Sequence, residues 1–473
     1  MRTLKSNLLC FLMLSLIPIS SNATEAIFNM DEILNEKTLK PEIIKDWHSV
    51  KGRIQTRQKQ ITICVGSLWE GAELRIPVRF VVPANSKAKG FWLTGGHQLK
   101  HLENSVRPNP IEQELLSRGI GLVYTIVQVP KSYGDEKLGN QMNAQFLKTL
   151  NTRYSIQYWG WPAILMRSIT AAYSEKEHFE PGKIAISGGS KNGASPSVAV
   201  IHDKRITAVF ATVSPIWESP LRMCDTEAWE KWKQVPVRNQ KHSDHRFLGG
   251  TYGPIYNRDA MNAGHNWKDL QNLANEVAPQ VFISQNLGQL KERGVDLLFH
   301  PGTHDFVAFD LQWGSSRYPQ IPIYLKANTG HGFKKGHPKA EKRQQNLPAF
   351  LYAHFLDEVE KPLKSPKIEC KKEGNKLLVS VIFAPDQKAE TGQLFWMFDR
   401  GPDGTSQYIT DLFPVENETF MNFDTDANIW RAIIPLAPEA KHIDLFSTHR
   451  KTVSTKKEDL ATYLSSPYRR LAL

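Results

Sequence analysis

A strand, a glycine turn and the start of a helix follow one another between Lys183 and Ala194, in the sequence KIAISGGSKNGA. The first five residues carry alternating β-branched side chains, which predicts a short buried strand. Two glycines and Ser190 then form a sharp turn, and the following residues predict a helix. A serine between a strand and a helix, with small neighbours, is typical of a nucleophile elbow, in which the serine backbone is strained.

Two glycines around the serine fit this interpretation, because bulkier side chains at Gly188 and Gly193 would clash within the turn. The N–H of Lys191 would lie at the N-terminus of the helix, where it can stabilise an oxyanion. The pattern is G-x-S-x-x-G, since Asn192 occupies the usual position of the final glycine. An ordinary β-to-α turn has the same short pattern, so the interpretation depends on the rest of the chain.

Residues 1–23 are predicted to be a signal peptide. Arg2 and Lys5 precede an apolar run from Leu8 to Ile19, and small residues at 21–23 form a cleavage site. The run is too short to span a membrane, and the sequence shows no other long apolar segment. We therefore expect an exported protein, secreted or periplasmic, without an integral membrane segment.

The chain is basic, with a formal net charge of +11 that becomes +9 when the two basic residues of the signal peptide are removed. The basic residues are scattered, apart from a cluster between Lys334 and Arg343. A solvated surface explains this charge, and so does an anionic surface or substrate as a partner. No stacking-aromatic or recognition-helix pattern accompanies it, so nucleic acid is not predicted as a partner.

Three cysteines follow the signal peptide, namely Cys64, Cys224 and Cys370. An odd number excludes a complete disulfide framework and allows at most one bridge. No cysteine pair has metal-ligand spacing, and His300 and His304 lie across a strand end rather than on one helix face. Neither a metal nor a cofactor is predicted.

Strand and helix patterns alternate through much of residues 24–362, which predicts a doubly wound, mostly parallel sheet of the α/β class. We further expect helix from Asn29 to Arg57 and one long amphipathic helix from Lys339 to Glu358. From about residue 216 to 265 the periodicity fades, which predicts a cap inserted into this domain. Aromatic residues in the cap either line a pocket or pack its core: Trp217, Trp229, Trp232, Tyr252 and Tyr256.

Residues 363–473 have a different pattern, with short strands separated by turns and few helical segments. This pattern predicts a β-sandwich-like domain. The segment contains no cluster of catalytic residue types, so we interpret it as a packing or binding module.

A serine nucleophile requires a base and a carboxylate that orients the base. In α/β hydrolases these residues follow in the order Ser, Asp, His, on loops after successive strands. Here Ser190 is followed by Asp305, after the predicted strand VDLLFH, and by His331, after the predicted strand IPIYL. Asp305 could instead cap a turn, in which case Asp310 is the alternative carboxylate.

His331 stands between glycines and is poorly suited to a core, whereas His337 is expected on the surface. Gly95 and Gly96 follow an early strand, where α/β hydrolases place their second oxyanion donor. A plain tight turn would explain these two glycines equally well.

Several short motifs are shared with one family: Phe146-Leu147-Lys148-Thr149, the helix from Trp161-Pro162 with Met166-Arg167 and Ala171-Ala172, Ser187 to Lys191, Gly302-x-x-Asp305, Asn328-x-x-His331, and the Ser447-Thr448 strand. With them the chain resembles the PhoPQ-activated pathogenicity-related protein family. The resemblance implies an exported α/β-hydrolase-like protein with a trailing β domain and a generally undefined substrate. The chain departs from the family pattern at Gly189, at residues 192–194 and in its longer cap. The elbow is also similar to those of secreted peptidases related to prolyl oligopeptidase and of exported carbohydrate esterases.

These observations predict an α/β-hydrolase fold and a serine hydrolase that cleaves an ester or an amide in a small-molecule or peptide substrate. Ser190, His331 and Asp305 are the predicted catalytic residues, and the N–H groups of Lys191 and of the Gly95-Gly96 turn are the predicted oxyanion donors. The alternative is a non-catalytic secreted signalling or binding protein that retains the fold.

Overall fold

A computed structural model describes residues 26–128, 136–233, 258–331, 336–400 and 412–473. The predicted signal peptide and the middle of the predicted cap, residues 234–257, lie outside these ranges. Within them, none of the helices combines the length and the apolar character needed to cross a bilayer.

The N-terminal domain is built on a mixed sheet. Its strands are β1 (Glu42–Val50), β2 (Thr56–Trp69), β3 (Ala72–Pro83), β4 (Ala88–Thr94), β5 (Gly121–Thr125), β6 (Phe179–Gly189), β7 (Ala208–Thr212) and β8 (Asp296–Phe299). In the described ranges they pair in the order β1-β2-β3-β5-β4-β6-β7-β8. Pairing is antiparallel from β1 to β5 and parallel from β5 to β8. The predicted strand at 321–325 contributes a single parallel bridge, from Ile323 to Phe299.

Helices cover the sheet and extend into the cap region. They are α1 (Met30–Leu34), α2 (Leu99–Glu103), α3 (Pro110–Ser117), α4 (Glu136–Thr149), α5 (Trp161–Ser174), α6 (Lys191–His202), α7 (Thr226–Lys233), α8 (Arg258–Asn262), α9 (Trp267–Val281), α10 (Leu287–Glu292), α11 (Leu311–Arg317) and α12 (Asn346–Phe355). Helix α5 is buried from Pro162 to Ala172, with the proline in its first turn, where a missing N–H costs little. Its Arg167 donates to the carbonyls of Ile33 and Cys64, which fastens the N-terminal segment to the domain.

Two expected helices are wrong in extent. Between Asn29 and Arg57 only short helical segments occur, and Glu42–Val50 forms the antiparallel edge strand β1, because pairing with β2 overrides local preference. Within the segment from Lys339 to Glu358 only α12 is an α-helix. Pro348 lies in its first turn. A proline inside a helix clashes with the preceding turn and removes a hydrogen bond, so the helix does not extend further toward Lys339.

The C-terminal domain consists of antiparallel sheets, which confirms the predicted fold class. Its strands are β9 (Lys367–Glu373), β10 (Lys376–Ile382), β11 (Thr391–Phe398), β12 (Glu418–Phe420), β13 (Asn422–Asp424), β14 (Ile429–Pro435), β15 (His442–Ser454), β16 (Asp459–Ser465) and β17 (Arg469–Ala472). In the described part of the chain, one sheet has the order β13-β14-β10-β9, and the other has β12-β11-β15-β16 with β17 also on β15. Trp430 of the first sheet contacts His449 of the second, with ring centroids 5.7 Å apart.

Candidate active site

Ser190 lies between β6 and α6 in a strained backbone conformation, with φ 55° and ψ −129°. Non-glycine residues adopt positive φ rarely, and such strain is concentrated at functional sites. The N–H of Ser190 donates to the Thr212 carbonyl at 3.3 Å, and its carbonyl accepts the N–H groups of Gly193 and Ala194, each at 2.9 Å. Ser190 is half-buried in the part of the chain that the structure describes.

The glycines around Ser190 differ in the space they have. A Cβ atom on Gly188 would lie 2.4 Å from the Asn192 carbonyl oxygen, and one on Gly193 would lie 2.5 Å from the Gly188 carbonyl oxygen. Neither position therefore accepts a side chain, as the sequence predicts. At Gly189 the nearest atoms belong to Thr212, 3.8 Å away, which is ordinary contact distance.

The Gly95-Gly96 turn packs against the start of α6. A Cβ on Gly96 would lie 3.4 Å from the side-chain Nδ2 of Asn192, and one on Gly95 would lie 2.3 Å from a methyl group of Val127. The Gly95 carbonyl accepts the N–H of Val127 at 2.9 Å. The turn after β4 therefore contacts Asn192, which follows Ser190 by two residues.

Asp305 and His331 are hydrogen-bonded to each other. The Nδ1 atom of His331 lies 3.0 and 3.1 Å from the two carboxylate oxygens of Asp305. The Asp305 side chain is 4% exposed, whereas that of His331 is 30% exposed. Asp305 also accepts the N–H of Val307 at 3.0 Å. A histidine that donates from Nδ1 has Nε2 available as its basic nitrogen.

The hydrogen bond to Asp305 raises the pKa of His331 above its ordinary value of 6.5, against the opposing effects of burial and of the positive charge on Lys191. Lys191 immediately follows Ser190, so the charge that lowers the pKa of His331 comes from the elbow. Strands β6 and β8 belong to the same parallel part of the sheet, and Ser190 and Asp305 follow their carboxyl ends. The three predicted catalytic residues thus belong to the edge where α/β folds place their ligands.

The loops that carry Asp305 and His331 are also bonded to each other. The N–H of His304 donates to the Thr329 carbonyl at 3.0 Å, and the N–H of Asn328 donates to the Thr303 hydroxyl at 2.8 Å. Asn328 has φ 58°, a conformation that asparagine tolerates better than most residues. An asparagine is a turn signal that the sequence shows, but the sequence alone predicts no separate role for Asn328.

The alternative carboxylate, Asp310, has other partners. It accepts hydrogen bonds from Arg222 at 2.7 Å and from Ser219 at 3.1 Å, in a buried environment that raises its pKa. Among the described residues, Asp305 is the carboxylate bonded to His331.

The expectation that His337 is a surface histidine is wrong. It is 3% exposed, its Nε2–H donates to the Pro414 carbonyl at 3.1 Å, and its Nδ1 accepts the N–H of Lys339 at 3.2 Å. Contact with the C-terminal domain buries it, and local sequence carries no sign of that contact.

The aromatic residues of the predicted cap are only partly described. Trp217 is completely buried, and a Cβ on Gly314 would lie 2.0 Å from its ring, so Trp217 packs in the core. The side chains of the other four lie outside the described residues. Among the described residues, Cys64, Cys224 and Cys370 form no disulfide bond. In the described part of the chain, no group of three or more His, Cys, Asp or Glu side chains is arranged to hold a metal ion.

No protein-family model and no curated protein matches the chain. Its fold is similar to that of an acetyl xylan esterase from Thermoanaerobacterium sp., with 11% identity, a TM-score of 0.36, and coverage of 71% of this chain and 95% of the esterase. A glucuronoyl esterase from Teredinibacter turnerae is similar over 58% of this chain and 64% of its own, with 14% identity and a TM-score of 0.34. A puromycin-hydrolysing peptidase from Mycobacterium tuberculosis is similar over 64% and 40%, with 15% identity and a TM-score of 0.33.

These likenesses are distant, and the class of protein follows from the chain's own structure. A mixed sheet with parallel strands from β5 to β8, covered by helices and carrying a strained serine between a central strand and a helix, defines an α/β-hydrolase fold.

Proposed function

We propose that this protein is an exported serine hydrolase that cleaves an ester or an amide. One observation carries the proposal: the Asp305–His331 hydrogen bond belongs to the same sheet edge as a half-buried serine in a strained turn. Structural roles alone give no reason for such strain at Ser190, because an unstrained turn would join β6 to α6 equally well.

In the proposed reaction, Asp305 holds His331 with the proton on Nδ1, and Nε2 takes the proton from the Ser190 hydroxyl. The Ser190 oxygen forms a bond to the substrate carbonyl carbon, and the carbonyl oxygen becomes an oxyanion. The N–H of Lys191 and an N–H of the Gly95-Gly96 turn stabilise this charge. The bond from the carbonyl carbon to the leaving alcohol or amine then breaks, and His331 gives its proton to that group. Water, which gives a proton to His331, attacks the acyl group on Ser190; the bond to the Ser190 oxygen breaks, and His331 returns the proton to it.

Active-site labelling tests the proposal. A fluorophosphonate probe should label the wild-type protein, and mass spectrometry should locate the label on Ser190. Ser190→Ala should not be labelled, because the attacking oxygen is gone. Ser195→Ala is the matched control, since Ser195 lies in the same helix with its hydroxyl directed to the Lys191 carbonyl, and it should be labelled like the wild type.

Equal labelling of the wild type and Ser190→Ala would contradict the proposal, and so would a label at another residue. A wild type that is not labelled at all would favour the non-catalytic binding protein. For a labelled enzyme, hydrolysis of a panel of aminoacyl, acetyl and uronoyl substrates would identify the bond that is cleaved.

Export is a separate part of the proposal and depends on the pattern of residues 1–23. N-terminal sequencing of the full-length gene product, after expression in a Gram-negative host, should give a chain that begins at residue 24 in the periplasmic or extracellular fraction. An uncleaved chain in the cytoplasm would contradict export and leave the proposed chemistry unaffected.

A further inference from the structure

The C-terminal β domain contacts the loop that carries Asp305. Arg400, which follows β11, donates from its guanidinium to the Thr303 carbonyl at 2.5 Å and to the Tyr468 hydroxyl at 2.8 Å. Arg400 is 3% exposed and Thr303 is 1% exposed. Thr303 precedes Asp305 by two residues, so this buried hydrogen bond fixes the backbone next to the carboxylate.

The same domain contacts the loop that carries His331. The side-chain amide of Asn328 donates to the Phe413 carbonyl at 2.8 Å, and its oxygen accepts the Phe413 N–H at 2.7 Å. Asn328 precedes His331 by three residues. Two reciprocal hydrogen bonds to one backbone unit fix the orientation of the amide, and with it the left-handed turn of the loop.

The two contacts form one continuous chain of hydrogen bonds. Thr303 accepts from Arg400 at its carbonyl and from the N–H of Asn328 at its hydroxyl, and Asn328 is bonded to Phe413. The chain therefore runs from the β domain through both loops and back to the β domain. The bonds of Arg400 are buried and those of Asn328 are partly buried. Such hydrogen bonds are costly to leave unmade, so the members hold one another in place.

Arg400 is itself held firmly within the β domain. Its carbonyl accepts a hydrogen bond from Arg470 at 2.6 Å. The Asp444 carboxylate, which is completely buried, lies 3.7 Å from the Arg470 guanidinium. The backbone of Arg400 is thus bonded to Arg470, whose guanidinium lies beside the buried Asp444 carboxylate.

We infer that the β domain positions the proposed catalytic pair, with Arg400 and Asn328 acting through their loops to hold His331 against Asp305. This inference depends on the proposed function. The hydrogen bonds described for the two residues reach Thr303, Tyr468 and Phe413, so we assign both a positioning role. The trailing domain would then hold the two catalytic loops in place, in addition to any packing or binding role.

The substitution Asn328→Gly tests the inference with little risk to folding, because glycine adopts a positive φ without strain. It removes both bonds to Phe413. We expect the rate constant for fluorophosphonate labelling to fall about ten-fold or more, since small displacements of catalytic groups have effects of this size. NMR titration should show a lower pKa for His331, because its hydrogen bond to Asp305 is weakened. Asn328→Asp keeps the acceptor for the Phe413 N–H and should restore part of the labelling rate.

A matched control uses the same kind of contact elsewhere between the two domains. Asn346 bonds the backbone of Tyr463 reciprocally, at 2.9 and 2.8 Å, and also contacts His300. Asn346→Ala should lower the melting temperature at least as much as Asn328→Gly, with the labelling rate and the pKa of His331 unchanged.

Arg400→Met removes the bond to the Thr303 carbonyl and should also lower the labelling rate and the pKa of His331. If Arg400→Met does not fold, the result for Asn328→Gly decides. Unchanged labelling and an unchanged pKa of His331 in Asn328→Gly would overturn the inference. So would equal losses in Asn328→Gly and Asn346→Ala, because domain stability alone would then explain them. If the wild type is not labelled, the proposed function fails, and the NMR titration, which needs no probe, decides the positioning role.

Discussion

The elbow around Ser190 and the two loops that carry Asp305 and His331 are held in place by different means. The elbow is held within the N-terminal domain, by its sequence neighbours Asn192 and Gly193 and by the adjacent strand at Thr212. The loops are held by bonds to residues 85 and 97 positions later, in another domain. The nucleophile is therefore positioned within one domain, whereas the acid–base pair depends on contact between two domains.

The largest expected effect comes from breaking the elbow itself. Gly188→Ala places a Cβ 2.4 Å from the Asn192 carbonyl oxygen, so the turn must rearrange. We expect labelling of Ser190 to be lost and the free energy of unfolding to fall by about 1–3 kcal/mol, as for other overpacked sites. Gly189→Ala is the control, because its Cβ has room, and it should keep both labelling and stability. Similar behaviour of the two variants would show that the glycine at 188 is not required by geometry.

A second test separates the two buried carboxylates of the loop. Asp305→Asn should reduce the labelling rate about 10³–10⁴-fold, because an amide no longer fixes the productive tautomer of His331. Asp310→Asn should leave the labelling rate nearly unchanged and lower the free energy of unfolding by about 1–3 kcal/mol, since it weakens the bond to Arg222. Loss of labelling in Asp310→Asn, with Asp305→Asn fully labelled, would reverse the assignment.

The smallest expected effect is that of the Lys191 charge, at the elbow, on the pKa of His331. Labelling requires neutral His331, so the rate should rise with pH through the pKa of His331, which lies above 6.5. Stability has the opposite dependence. Because the folded-state pKa is raised, the bond to Asp305 contributes fully below the unfolded pKa, and the contribution is lost as pH rises through the folded pKa.

Lys191→Met removes a positive charge that lowers the pKa of His331. The midpoint of the labelling profile should therefore move to higher pH, and Lys191→Arg should leave it in place. A midpoint that does not move, or that moves to lower pH, would contradict the proximity of the two regions.

The difference between the regions also explains how much the sequence predicted. Strands β6 and β8, the helix α5, and the need for glycine at 188 and 193 depend on local pattern and were predicted correctly. The burial of His337 was not, because its partner Pro414 lies in the other domain. The edge strand β1 was missed for another reason: its exposed residues show no alternation, and pairing with β2 determines its structure.

Within the site, the order of Ser190, Asp305 and His331 was available from the sequence, because each follows a recognisable strand. The hydrogen bonds that hold Thr303 and Asn328 were not available, since no local property of Arg400 or Phe413 indicates which loop it contacts. Local sequence patterns do not show that the C-terminal domain contacts the loops of Asp305 and His331, because the bonded residues are 85 and 97 positions apart.

The three cysteines without a disulfide have a practical consequence for handling the protein. Burial raises the pKa of all three, to about 12 for Cys224 and about 11 for Cys370, so little thiolate is present near neutral pH, and it is the thiolate that reacts with oxidants and alkylating reagents. Neither an oxidising compartment nor a reducing one should therefore alter the folded chain at these positions. Material prepared with or without reductant should behave as the same molecule.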